Sequence, residues 1–197
     1  MLEPLLAWDE HVFRLINAGW LHPALDRLMP SITNARNYHI PFIVGAILLL
    51  FLDRLRGVRF LVLAMVSVVV ADAIATHVFK HAFWRTRPCI ALEGVRLLAG
   101  CVNSPSFPSN HAVNASALAT LIARYRPRLW LAAAALAVLV GYSRVYVGTH
   151  YPLDVLTGSA LGLAVALVLA GAMSLLWPSD PGFGEQRRTY SLKIGDR

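Results

Sequence analysis

The sequence predicts an all-α integral membrane bundle of about five transmembrane helices, preceded by an N-terminal amphipathic helix in the interface. Three observations carry this. Hydrophobic residues make up 57% of the 197 residues, charged residues only 15%, and the mean hydropathy is +0.57. Soluble domains are about 45–50% apolar and about 25% charged. The apolar residues fall in long runs divided by short polar segments, and tryptophans stand at the ends of several runs. The same composition excludes disorder, collagen and coiled coil.

Residues 5–20 place Leu5, Leu6, Trp8, Val12, Phe13, Leu15, Ile16 and Trp20 at helical spacing, with Asp9, Glu10, His11 and Arg14 between them. That is the pattern of an interfacial helix. The stretch lacks a basic n-region and a continuous apolar core, so no cleavable signal peptide is expected. Spans follow over 38–52, 59–79, 110–123, 129–145 and 154–177, the second broken by Asp72. A helix needs about 20 residues to cross about 30 Å of hydrocarbon. Three of these spans are shorter, and are expected to extend into their polar flanks. The last carries Gly158 and Gly162, a pair that lets another helix approach closely. Trp84, Trp130 and Trp177 fall at span ends. Residues 1–177 thus read as one membrane-embedded domain, and 178–197 as a polar cytoplasmic tail.

Net charge is +7. Ten basic residues fall in 53–59, 124–128 and the tail; the other eight lie in the N-terminal segment, 80–110 and 144–153. Three of those eight, Lys80, Arg87 and Arg144, have chemical work argued next. Ten against five makes the first side cytoplasmic and turns 80–110 outward. The positive balance therefore needs no nucleic acid. Cys89 and Cys101 share the outward loop, where an oxidising compartment permits a disulfide worth about 3 kcal/mol. Two unpaired thiols are the other reading.

Polar residues concentrate in three outward segments: KHAFWRTRP with Lys80, Arg87 and Pro88; FPSNH with Pro108, Ser109, Asn110 and His111; and SRVYVGTHYPLD with Ser143, Arg144, His150 and Asp154. Lys80 and Arg87 are seven apart, so a continuing helix would stack them on one face. Arginine forks match phosphate oxygens and lysine adds a point charge. Ser109 stands at an N-cap position, and the free N–H groups of a helix start favour anions. Three cations beside a helix start suit phosphate. His150 and Asp154 are four apart and share a face if a helix begins near Thr149. A carboxylate on one imidazole nitrogen leaves the other as a nucleophile. His111, on a separate helix, is available as general acid. No carboxylate cluster offers a metal site, so the cations would stabilise the phosphoryl oxygens instead.

These three segments resemble the type 2 phosphatidic acid phosphatase superfamily of lipid phosphatases, whose pattern is KxxxxxxRP, PSGH and SRxxxxxHxxxD. The first and third spacings match in full. The second reads PSNH, with Asn110 in place of glycine. The resemblance covers about residues 5–177. It implies that Lys80, Arg87 and Arg144 bind phosphate with Ser109 and the Asn110 loop. It further implies that His150 forms a phosphohistidine held by Asp154, and that His111 protonates the leaving group. No metal or cofactor is implied. Asn tolerates left-handed backbone better than any residue except glycine, and keeps its N–H, so activity is expected to survive. The resemblance also implies a bacterial inner-membrane enzyme, its site facing outward, acting on a phosphorylated lipid within the bilayer. Undecaprenyl pyrophosphate leads the substrates, ahead of phosphatidylglycerol phosphate, phosphatidic acid and lipid A 1-phosphate. A lipid phosphotransferase and a non-catalytic lipid-phosphate binder are the readings from other classes. Asp72, Ser143 and Pro108 are supporting candidates, Asp72 by pairing with Lys80 or His77 or by lining the lipid's entry route. His77, His81, Tyr142, Tyr146 and Tyr151 read as packing or surface residues.

Overall fold

A computed structural model describes residues 2–177. The polar tail expected at 178–197 lies outside the described residues. All regular structure among the described residues is helical. Helix α1, Leu2–Arg14, runs into a π turn at Leu15–Gly19, and α2 covers Pro23–Thr33. Next come α3, His39–Ala73, and α4, Asn110–Tyr125. They are followed by α5, Trp130–Tyr146, and α6, Pro152–Leu176. Proline punctuates the chain as its chemistry requires. Pro23 and Pro152 open α2 and α6, and Pro127 follows the end of α4.

Helix α3 is two arms. Arg54 sits at φ 44°, ψ −118°, far from helical values. A Cβ on Gly57 would lie 2.5 Å from the carbonyl oxygen of Leu49. Residues eight apart in a straight helix are separated by about 12 Å along its axis, so the chain doubles back at Arg54. Only glycine fits where the arms meet. The second arm continues through a π turn at Ile74–Phe79 and a last turn at Lys80–Ala82.

Helix α4 is the centre, packed against α3, α5 and α6. Its inner face joins Phe60, Leu63 and Ala64 of α3 to Ala166 and Ala170 of α6 through Ala117, Leu121 and Tyr125. The glycine pair of α6 faces α4 directly. A Cβ on Gly158 would stand 2.7 Å from the Ser109 carbonyl oxygen, and one on Gly162 would overlap that of Val113. The outer faces carry exposed Phe42, Phe51, Leu52, Met65, Val138 and Val168. Three helical stretches, Ala35–Ala82, Pro127–Tyr146 and Pro152–Leu176, are long and apolar enough to cross a membrane.

Contacts sort the connections onto two ends. At one, Asp53 accepts hydrogen bonds from Tyr125 and Arg126, and Arg59 lies over the Trp177 ring. At the other, α1 and α2 are strapped down. The Asn17 amide donates to the carbonyls of Arg96 and Tyr146, both at 2.8 Å, and its oxygen accepts from the Arg96 N–H. Asp26 accepts from the Tyr146 hydroxyl and pairs with Arg96. Helix α1 thereby presents Asp9, Phe13 and Asn17 inward, all nearly inaccessible, while Leu5, Leu6, Trp8, Leu15 and Trp20 face out. The apolar residues read from sequence thus divide between two faces: those five lie outside, while Phe13 packs inward beside the polar Asp9 and Asn17, with Ile16 against the core.

Candidate active site

The three motif segments meet at the end of the bundle that carries α1 and α2. The geometry differs from the sequence expectation in two local respects. Lys80 and Arg87 do not share a continuing helix, because the helix ends at Ala82 and Arg87 is extended at φ −67°, ψ 148°. Pro88 accounts for the extended Arg87, since a residue before proline is driven out of the helical region, while the helix has already ended by Phe83. Helix α6 begins at Pro152, not near Thr149, so His150 precedes the helix that carries Asp154. The first turn of α6 still brings them together: Asp154 Oδ2 accepts from the Tyr151 N–H at 2.9 Å and lies 3.5 Å from His150 Nδ1.

His150 is 2% exposed. Its Nε2 accepts a hydrogen bond from Arg87 Nη1 at 2.9 Å. A guanidinium can only donate, so Nε2 carries the lone pair and Nδ1 the proton, on the side of Asp154. Burial pushes the imidazole down to about 4, with the Arg144 and Arg87 charges acting in the same direction and Asp154 against it. The ring is therefore neutral at pH 7.

Arg87 reaches His150 from a clamped loop. Its side chain also donates to the carbonyls of Thr149, Ser104 and Pro105 and to the Ser104 hydroxyl. Cys89 and Cys101 are joined by a disulfide, and so tie together the two chain segments that this network spans. Arg144 is buried and donates to the Thr33 hydroxyl of α2, while its Nε has no partner. Among the described residues, neither arginine pairs with a carboxylate oxygen. Lys80 lies within electrostatic range of Arg87, and His111 within range of Arg144 and Arg87. The motif cations and both histidines thus occupy one region.

The second segment departs from expectation. Ser109 does not cap α4 with its side chain; its buried hydroxyl has no partner, and its backbone N–H donates to the Asp154 carbonyl. Asn110 opens α4, and its side chain bonds to the second arm of α3. Its amide donates to Asp72 at 2.8 Å and to Thr76 at 3.0 Å. Asp72 also accepts from Asn114, so its hydrogen-bond partners are these amides and not Lys80 or His77. Ser143 bonds back to Val140 within its own helix, and Pro108 is buried beside Ser109. Asp72, Asn110, His111 and Asn114 border a cavity of about 350 Å³ whose remaining wall is mainly apolar, from Tyr38 and Phe42 across to α4 and α5.

Residues 60–177 match the PAP2 superfamily. The chain belongs to that superfamily. It is 31% identical to an undecaprenyl-diphosphatase of Sulfolobus acidocaldarius, over 81% of this chain and 76% of the relative. It is 32% identical to phosphatidylglycerophosphatase B of Bacillus subtilis, over 76% and 75% of the two chains. The crystal structure of a transmembrane PAP2-type phosphatidylglycerolphosphate phosphatase from Bacillus subtilis superimposes with a TM-score of 0.70. There the identity is 27%, and each chain is covered to 90%.

Beside the PAP2 motifs stand residues that sequence reasoning missed. Arg85 donates from Nη1 to Asp154 Oδ1 at 2.8 Å and from Nη2 to Asp9 Oδ2 at 2.6 Å. Asp9 Oδ1 accepts from the Leu153 N–H at 2.8 Å. Burial pushes the Asp9 carboxyl up, against the pull of that N–H and of Arg85. Thr33 and Asn17 complete the set. The available signal was two short polar side chains, Asp9 and Asn17, eight apart and on the same side as Phe13.

Proposed function

We propose that the protein hydrolyses a terminal phosphate from a membrane lipid, with undecaprenyl diphosphate the leading substrate. The observation that carries this is the neighbourhood of His150. Arg87 bonds to a neutral imidazole, Arg144 lies within electrostatic range of it and Lys80 within range of Arg87, and a largely apolar cavity reaches His111. An anion of high charge attached to a long apolar chain satisfies both halves. The first relative named above acts on that lipid by its name, and supports the choice.

In this reading His150 Nε2 attacks phosphorus. The N–P bond forms, the bond from phosphorus to the leaving oxygen breaks, and His111 gives that oxygen its proton. His111 then takes a proton from water, whose oxygen displaces the histidine and releases phosphate. Lys80, Arg87, Arg144 and the N–H groups at the start of α4 hold the phosphoryl oxygens. Because Arg87 occupies the Nε2 lone pair, its guanidinium must shift onto the phosphate before attack. Asp154, 3.5 Å from Nδ1, is the counter-charge for the ring when it becomes cationic. No metal or cofactor takes part.

The doubling of α3 at Arg54 supports five crossings, with α1 lying along the interface and the site facing outward from a bacterial inner membrane. Phosphatidylglycerol phosphate is the second reading, supported by the Bacillus subtilis relative and by the likeness to its structure. The test is phosphate release in detergent from prenyl diphosphate, phosphatidylglycerol phosphate, phosphatidic acid and lipid A phosphates. Fastest turnover on the prenyl diphosphate is expected, with none in His150→Ala. Release without an added acceptor argues against a phosphotransferase. Lipid binding with no turnover by the unsubstituted protein would overturn the enzyme reading.

A further inference from the structure

Arg85 bridges two carboxylates that solvent does not reach, one at the N-terminus of the fold and one beside the nucleophile. We infer that Asp9 and Arg85 are positioning residues for the His150–Asp154 pair, so that helix α1 takes part in aiming the nucleophile. The inference rests on the phosphatase reading and deepens it.

Two arguments support it. The first is geometric. Arg85 takes Asp154 Oδ1, which leaves Oδ2 for the Tyr151 N–H and the imidazole. Rotation of the carboxylate would cost the Arg85 contact. Asp9 fixes Arg85 from the far side and also accepts from Leu153, the residue before Asp154. The Arg85 guanidinium lies 3.8 Å from the Tyr151 ring centroid, so it is held on a third side.

The second argument is charge. Arg85 alone would neutralise Asp154. With Asp9 ionised, as its contacts with Arg85 and the Leu153 N–H favour against its burial, one cation stands between two anions and the cluster has a net charge of −1. When Nε2 bonds to phosphorus and Nδ1 keeps its proton, the ring becomes cationic, and that surplus is its counter-charge. A clasp needed only to hold α1 in place would have no use for this surplus at Asp154.

The test uses the full chain in detergent, with Asp9→Asn and Arg85→Lys made singly and together. Steady-state kcat and KM, single-turnover phosphohistidine formation from phosphorus-labelled lipid, inhibition by inorganic phosphate and the melting temperature are measured. Asp9→Asn is expected to lower kcat on the order of 10- to 100-fold, the usual effect of removing a partner that orients a reacting group. Phosphohistidine formation should slow in proportion, without a matching rise in KM or in the phosphate inhibition constant. The double variant should fall little below the worse single one, since both act through Asp154. Arg85→Lys keeps the charge but loses the fork, and answers the same question if Asp9→Asn does not fold. Unchanged kcat in a folded variant, or losses shared equally by KM and phosphate inhibition, would overturn the inference alone. No phosphate release by the unsubstituted protein would overturn the phosphatase reading with it.

Discussion

A histidine enclosed as His150 is stays neutral well into the acid range, because burial holds its folded-state value at about 4. Two consequences follow. If His150 is the nucleophile, as proposed, it keeps its lone pair, so the acid limb of kcat/KM that it governs should fall near pH 4 to 5 and not near 6.5; rates measured across that range check it. Stability should move in the same direction. Above about pH 6.5 neither folded nor unfolded His150 is protonated. As pH falls from there toward 4, the unfolded chain takes up a proton that the folded one refuses, and stability is lost. Melting temperatures at pH 7.5 and 5 should show this fall, and His150→Gln should lessen it. The motif residues were legible because their spacings are local in sequence. Asp9, Arg85 and Thr33 were not, because each acts on a residue far along the chain: Arg85 meets Asp9 across 76 positions and Asp154 across 69. The side-chain partner of Asn110 was not legible for the same reason: its amide meets the half-buried carboxylate of Asp72, 38 positions away.

At the scale of elements, the glycines of α6 offer a matched comparison. Gly162→Ala pushes a methyl into the α4 backbone, whereas Gly171→Ala meets nothing within 4 Å. The first should cost about 1–3 kcal/mol, as overpacking does. The second should be neutral or stabilise by up to about 1 kcal/mol, as alanine does in a helix. Thermal denaturation in detergent separates them. Removing the 89–101 disulfide by a double serine substitution should cost about 3 kcal/mol. It should also raise KM, because Arg87 hangs from Ser104 and Pro105 just beyond Cys101. The helices themselves were largely legible. The sequence spans 110–123, 129–145 and 154–177 differ from α4, α5 and α6 by only one or two residues at either end. Periodicity could not say which face of α1 turns inward. In a lipid environment apolar side chains can face out, so burial of Asp9 and Asn17 inverts the rule that works in water.

At the scale of the molecule, the proposed mechanism gives the cations of the site the part that magnesium plays in other phosphoryl-transfer enzymes. Turnover should therefore persist in EDTA, and vanadate should inhibit; activity lost to chelation and restored by magnesium would overturn this. The ends of the bundle also set a depth. The 16 residues of α4 span about 24 Å at about 1.5 Å each. Its C-terminal end adjoins the arginine-rich turn at residues 53–59, and its N-terminal end carries His111. Under the proposed orientation, with those arginines at one edge of a hydrocarbon layer about 30 Å thick, His111 lies about 21 Å from the far end of α4 and stops about 9 Å short of the other edge. The proposed reaction would then take place beneath the membrane surface. A lipid need not be lifted toward water to be cleaved; its phosphate has to sink. Thinner bilayers shorten that descent, so turnover in vesicles should rise as acyl chains are shortened, and a soluble phosphate ester, with no tail to guide it down, should be a poor substrate at any thickness.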